Sequence, residues 1–109
     1  MDSYSYFADI ATSIDTLPQD GIISRTFLKN EHLKALTFGF DAGQPLSEHT
    51  SVHPAILHFL QGEADITLGE DKQLAQAGTW VYMPPNLPHS IYARTPVVML
   101  LLMLQEPAK

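Results

Sequence analysis

Short runs of alternating or continuous apolar residues, broken at regular intervals by turn-forming residues, run from about position 21 to the end of the chain. Gly21 introduces Ile22 to Leu28, and Asn30-Glu31-His32 separates that run from Leu33 to Phe40. Both are rich in β-branched and aromatic residues, which suit a pleated, half-buried surface. Breakers recur at Asp41 to Pro45, Gln61-Gly62, Leu68 to Asp71, Ala77-Gly78 and Pro84 to Asn86. Between and after them Ile56 to Leu60, Ala64 to Leu68, Thr79 to Met83, Ser90 to Ala93 and Val97 to Leu104 read as strands. This spacing predicts an all-β barrel or sandwich. Val97 to Leu104 is apolar throughout and reads as a strand buried on both faces. A minor N-terminal helix is expected over Tyr6 to Ile14, where Phe7, Ile10, Ala11 and Ile14 share a face and Asp2 or Ser3 caps it. Residues 1–20 are expected to pack on a single barrel domain spanning 21–109.

Composition narrows the function classes. A chain of 109 residues, 45% hydrophobic, builds one core. Twelve acidic against six basic residues give a net charge of -6, which repels nucleic acid and anionic membrane alike. The chain has no cysteine, so oxygen and imidazole are the strong metal ligands it offers. The first eleven residues carry no basic region and no long apolar stretch, so a cytoplasmic protein is expected. Val97 to Leu104 is far shorter than the roughly 18 residues of a membrane-spanning helix. It is also more apolar surface than one face of a small barrel buries, which predicts a homodimer.

Four of the five histidines fall between positions 49 and 89. His49, Ser51, His53 and Ala55 are two residues apart and share a face if the segment is extended. Strand rise puts His49 and His53 about 13 Å apart, so one ion reaches both only across a bend or bulge. His32, among Asn30, Glu31 and Lys34, reads as a solvent-facing turn residue. Glu48 has the wrong parity to share the face of His49, and Glu63 and Asp65 read as an exposed edge. Neither a phosphate loop nor a nucleophile elbow is present.

From Gly43 to Ala93 the sequence resembles the two motifs of the cupin superfamily. The first family motif runs Gly, five residues, His, one residue, His, three or four residues, Glu, six residues, Gly. Gly43, His49, Ser51, Ala55 and Gly62 stand at those places. The second runs Gly, five residues, Pro, one residue, Gly, two residues, His, three residues, Asn, and here reads Gly78, Pro84, Asn86, His89 and Ala93. The turn residues persist for a mechanical reason, since tight corners between strands need a positive or preset φ, and Asn86 replaces glycine at least cost. The resemblance implies a single-domain cupin-type β-barrel, a double-stranded β-helix or jelly-roll.

The resemblance also implies a metal site. In cupins the ion is held by the histidines and glutamate of the first motif with the histidine of the second. Residue by residue, His49 and His89 carry over, while Ser51 and Ala55 stand where ligands are lost. His53 is the next candidate, through a bulge, and His58 the last, through a shift of phase at Pro54-Ala55. The expected pocket is lined by Ser51, Phe38, Phe40, Trp80, Tyr82, Met83 and Ile91, apolar walls that suit a small organic ligand. The function so implied is a barrel that binds a divalent iron, manganese, nickel, copper or zinc ion and acts on a small organic molecule, with an oxygenase-like reaction as the family analogy. The alternative is a non-catalytic binding or sensing barrel without metal, in which the imidazoles are hydrogen-bonded pocket residues.

Overall fold

The computed structural model describes residues 3–14 and 16–105. Asp2, expected as a helix cap, and the last four positions of the 21–109 span lie outside them. Among the described residues the chain forms nine strands: β1 (Ile22–Lys29), β2 (Leu33–Phe40), β3 (Pro45–His49), β4 (Ala55–Gln61), β5 (Glu63–Leu68), β6 (Asp71–Gln76), β7 (Trp80–Met83), β8 (His89–Ala93) and β9 (Val97–Leu104). They make a five-stranded sheet, β1-β2-β9-β4-β7, and a four-stranded sheet, β3-β8-β5-β6. Neighbouring strands pair antiparallel. The all-β jelly-roll expectation is met.

Side-chain alternation explains how the sheets close. On β4, Ala55, Leu57 and Phe59 are buried and Ile56, His58 and Leu60 are not. Pairing carries the same inner face across the sheet: Phe59 opposes Met99, Leu57 opposes Leu101, and Phe40 opposes Val97. In the facing sheet Ala75, Ala64 and Ala93 form a row across β6, β5 and β8, each fully buried. Phe40 and Phe59, also fully buried, fill the same core cluster. Small side chains opposite large ones let the two sheets approach, and dispersion and apolar burial hold them.

Two strands went unmarked by the sequence pattern. Of β6 only Ala75 is buried, because β6 is a polar edge strand held by its hairpin pairing to β5. β3 is short, carries a bulge between Leu46 and His49, and is largely exposed. Glu63 and Asp65 are not on an edge: β5 is an interior strand paired on both sides, and Asp65 lies on its outer face, bound by Arg94 at 2.8 and 3.0 Å. β9 lies centrally between β2 and β4, but only Val97, Val98 and Met99 are buried. From Leu100 onward the strand is half-buried, which corrects the reading of burial on both faces.

The expected helix over Tyr6 to Ile14 shrinks to one 3₁₀ turn, Ile10–Ser13, capped by the Asp9 carboxylate accepting from the Ala11 N–H at 3.1 Å. A free helix of nine residues is marginal, and tertiary contacts decide its fate here. Ser13 and Thr37 share a hydroxyl hydrogen bond, and Ile14 and Leu17 lie over Gly39 on the outer face of β2. A Cβ at Gly39 would run into both side chains. Among the described residues no helix is long and apolar enough to cross a membrane.

The corners bear out the mechanical reading of the motif: Gly43, Gly62, Gly78 and Asn86 all have positive φ, at 82°, 89°, 97° and 67°. Gly62 and Gly78 separate backbone strain from crowding. A Cβ on Gly62 would strike the Pro96 carbonyl, whereas one on Gly78 would meet nothing within 4 Å. Gly78→Ala is expected to cost about 1–2 kcal/mol from the left-handed backbone alone. Gly62→Ala is expected to cost at least ~3 kcal/mol, since rigid backbone blocks it as well. Urea unfolding of the two variants side by side checks the ordering, and equal losses would refute the crowding argument.

Candidate functional site

His49 ends β3 and His89 begins β8, and the pairing of those strands sets the two residues directly opposite each other. On its other side His89 opposes Leu68 of β5. The parity that sends Ala93 and Ile91 into the core therefore sends His89 the same way, and it is 8% exposed. His49, next to the β3 bulge, is exposed. The two rings stand 4.1 Å apart between centroids, with their planes at 60°.

Both imidazoles are held by the same device. His49 Nδ1 lies 2.8 Å from the Ser47 carbonyl oxygen and His89 Nδ1 lies 2.9 Å from that of Leu87. A carbonyl only accepts, so each Nδ1 carries the proton, and in the neutral rings each Nε2 presents a lone pair. Among the described residues no buried side-chain nitrogen or oxygen lacks a partner, so neither Nε2 is an orphan sealed in the core. Burial holds the His89 imidazole below its ordinary value, and the adjacent His49 adds to that; the Leu87 bond opposes both.

The rings open on a cavity of about 240 Å³ between the sheets, walled by Thr50, Ser51, Ala55, Met83, Leu101 and Met103. Ala55 of β4 lies in this wall, flanked in register by Met83 of β7 and Met103 of β9. A wider hollow of about 410 Å³ lies against the outer face of the four-stranded sheet, beside Glu48, Asp65, Lys72 and Tyr92. It has no imidazole in its wall, so the chemistry favours the smaller cavity.

Of the residues singled out from sequence, the cavity brings together His49, His89, Ser51 and Met83. Phe40 and Ile91 are buried core residues, and Phe38 is half-buried against the same core, outside the cavity wall. Trp80 and Tyr82 do not line it: Val81 and Met83 oppose the inward Leu57 and Ala55, so Trp80 and Tyr82 face outward, 57% and 51% exposed. His58 opposes Trp80 on that same outer face, because the only bulge in β4 falls beyond it, between Phe59 and Gln61. His53 follows the end of β3, in a bend where its N–H donates to Ser51 Oγ at 3.2 Å, and is not part of the cavity wall. Leu101 and Met103 escaped the sequence reading, since only the β4–β9 register puts them beside Ala55.

Imidazoles sharing one ion through Nε2 at about 2.1 Å hold their centroids roughly 4.6 to 5.3 Å apart at coordination angles of about 90 to 110°, so the rings, at 4.1 Å, would have to part by about half an ångström or more to share one. Nδ1–H bonds to backbone carbonyls are the usual outer support of such ligands. Among the described residues no third His, Cys, Asp or Glu joins them. The pair fits an ion held by two strong protein donors, with other coordination positions left to softer side chains, water or a bound molecule.

Comparisons with known proteins agree with this architecture. A conserved protein of unknown function from Streptococcus pyogenes superposes with a TM-score of 0.82 at 29% identity, covering 98% of this chain and 100% of its own. A cupin superfamily protein from Desulfitobacterium hafniense gives 0.83 at 20% identity, covering 94% of each chain. Salicylate 1,2-dioxygenase from Pseudoaminobacter salicylatoxidans gives 0.73 at 13% identity over 76% of this chain and 25% of its own, a likeness of fold alone. No curated protein matches the sequence. The family model described as a cupin domain matches residues 37–104, which takes in both imidazoles and every strand of the cavity wall, and the chain belongs to that family.

Proposed function

We propose that this cupin barrel binds a small organic molecule in the His49–His89 cavity through a transition-metal ion held by the two imidazoles. The observation that carries the reading is the matched pair of rings, each tied at Nδ1 to a backbone carbonyl and each left with an Nε2 lone pair beside the same cavity. Ala55 offers no carboxylate at the position where the family has its glutamate, so more coordination positions fall to the incoming molecule. Ala55, Met83, Leu101 and Met103 give it a mostly apolar wall, while Thr50 and Ser51 add hydroxyl groups at the side of His49. A ligand with one or two oxygen or nitrogen donors and a small apolar body suits that surface. A bound ion supplies Lewis acidity and a docking point for a substrate oxygen. Burial favours the neutral form of His89 and so keeps its Nε2 available. A salicylate 1,2-dioxygenase shares the fold, which supports chemistry on small acids as one use of such a barrel.

The outer face of β9, β4 and β7 supports a homodimer. Ile56, Leu60, Trp80, Tyr82, Leu100 and Leu102 share it by strand parity, and no carboxylate stands among them. On a chain with a net charge of -6 this is a face along which two copies meet without charge repulsion.

Metal content measured by elemental analysis after loading with iron, manganese, nickel, copper or zinc is expected to approach one ion per chain in the wild type. In the His49→Ala/His89→Ala variant it should fall to background, and equal contents would sink the metal reading. In metal-free protein, unfolding stability is expected to be full above the ordinary imidazole value of about 6.5. It should decline as pH falls through the lower value of folded His89, because the unfolded chain then binds the proton first. His89→Asn, which removes the titrating ring, should flatten that decline in urea titrations at stepped pH. Light scattering is expected to give twice the chain mass for the wild type and the single mass for Trp80→Glu/Leu100→Glu; a monomeric wild type at micromolar concentration would refute the dimer.

A further inference from the structure

The cavity that holds the imidazoles also holds two thioethers, and no carboxylate or thiolate lines it. Strand register explains the grouping. Ala55 opposes Met83 on one side and Met103 on the other, so three inward positions of the five-stranded sheet end in Met, Ala and Met in a row. His49 and His89 face that row from the other sheet. Alanine, the smallest of the three, leaves the space beside the imidazoles to the long, flexible methionine side chains. Met83 is buried and Met103 half-buried, so the thioethers are largely withdrawn from bulk water.

The softness of the donors sorts the metals. Hard and borderline divalent ions favour carboxylate, water and imidazole, whereas thioether sulfur favours monovalent copper, which also tolerates low coordination numbers and a site without compensating negative charge. Two neutral imidazoles and two neutral thioethers bring no negative charge to a largely apolar cavity. A singly charged ion therefore costs less to desolvate there than a doubly charged one. We propose that the resident ion of this site is monovalent copper, held by Nε2 of His49 and His89 together with the thioethers of Met83 and Met103. The inference rests on the proposed metal-binding role of the imidazole pair and specifies which ion that pair takes and which further side chains hold it while no organic molecule is bound; a donor atom of that molecule then takes the place of the half-buried Met103 thioether.

The test is competition for copper(I) against a chromogenic copper(I) chelator under anaerobic, reducing conditions, with zinc(II) and manganese(II) loading measured in parallel on the same full-length protein. Met83→Leu and Met103→Leu conserve volume and delete only the sulfur, and circular dichroism with thermal unfolding establishes that each still folds. Each is expected to weaken copper(I) binding by about tenfold or more, since even lost outer-shell support of a ligand commonly costs that much. Zinc(II) binding should change little. X-ray absorption of the copper(I) protein should show sulfur as well as nitrogen scatterers, with the sulfur contribution reduced in each variant. Copper(I) affinity unchanged by both substitutions would overturn the thioether assignment while leaving the imidazole site intact. Histidine-dependent zinc(II) or manganese(II) uptake without copper(I) uptake would overturn it equally. Absence of every ion would remove both the assignment and the metal reading beneath it.

Discussion

The closure of one end of the barrel by a row of alanines is the constraint on which the remaining geometry depends. Ala75, Ala64 and Ala93 lie side by side across three strands, each fully buried, and the large side chains Phe40 and Phe59 occupy the core they bound. Sheets approach only as closely as their inner side chains allow, so small residues on one sheet and aromatic ones on the other bring this end together. Two residues further along each strand the inner side chains become Ile66 and Ile91, and two further again Leu68 and His89. Over the same distance β4 runs from Phe59 through Leu57 to Ala55. Size thus falls along one sheet while it rises along the other, and the fit between them is incomplete at the far end, where the cavity lies beside Ala55.

That mismatch gives the imidazoles their setting. His89 continues an apolar inner row and pays for burial by staying neutral; His49 reaches it only because β3 pairs with β8 at the edge of the sheet. The same local device, a hydrogen bond from Nδ1 to the carbonyl two residues earlier, orients both rings without any help from a charged side chain. Ala55 matters here as much as a ligand would. A carboxylate at that position would bring negative charge into the cavity, whereas a methyl group leaves the methionines as its nearest inner neighbours across the strands.

The two faces of the five-stranded sheet serve different ends. Its inner face builds core and cavity. Its outer face is covered at β2 by Ser13, Ile14 and Leu17, which lie across Thr37 and Gly39, but β4 and β7 keep Trp80 and Tyr82 exposed. An aromatic pair on a strand of only four residues contributes nothing to the core by this parity, and it leaves the protein with an uncharged apolar face.

The order of residues along the chain was enough to determine the class of fold, most of the strand positions and the corners, because period-two alternation and positive-φ residues are local properties. Gly43, Gly62, Gly78 and Asn86 announce their backbone angles by residue type, and His49 and His89 stand out by their spacing from those corners. What the sequence left open were the features set by pairing between distant segments. Whether Trp80 or Val81 faces inward depends on the β4–β7 register, and that register turned Trp80, Tyr82 and His58 outward. Met103 joins Met83 only across Ala55, 48 and 28 positions away from it in sequence. β6, polar along most of its length, exists as a strand only because β5 supplies its hydrogen-bond partners. Local chemistry thus chose the elements, and the register between them, which no local property encodes, chose which side chains meet.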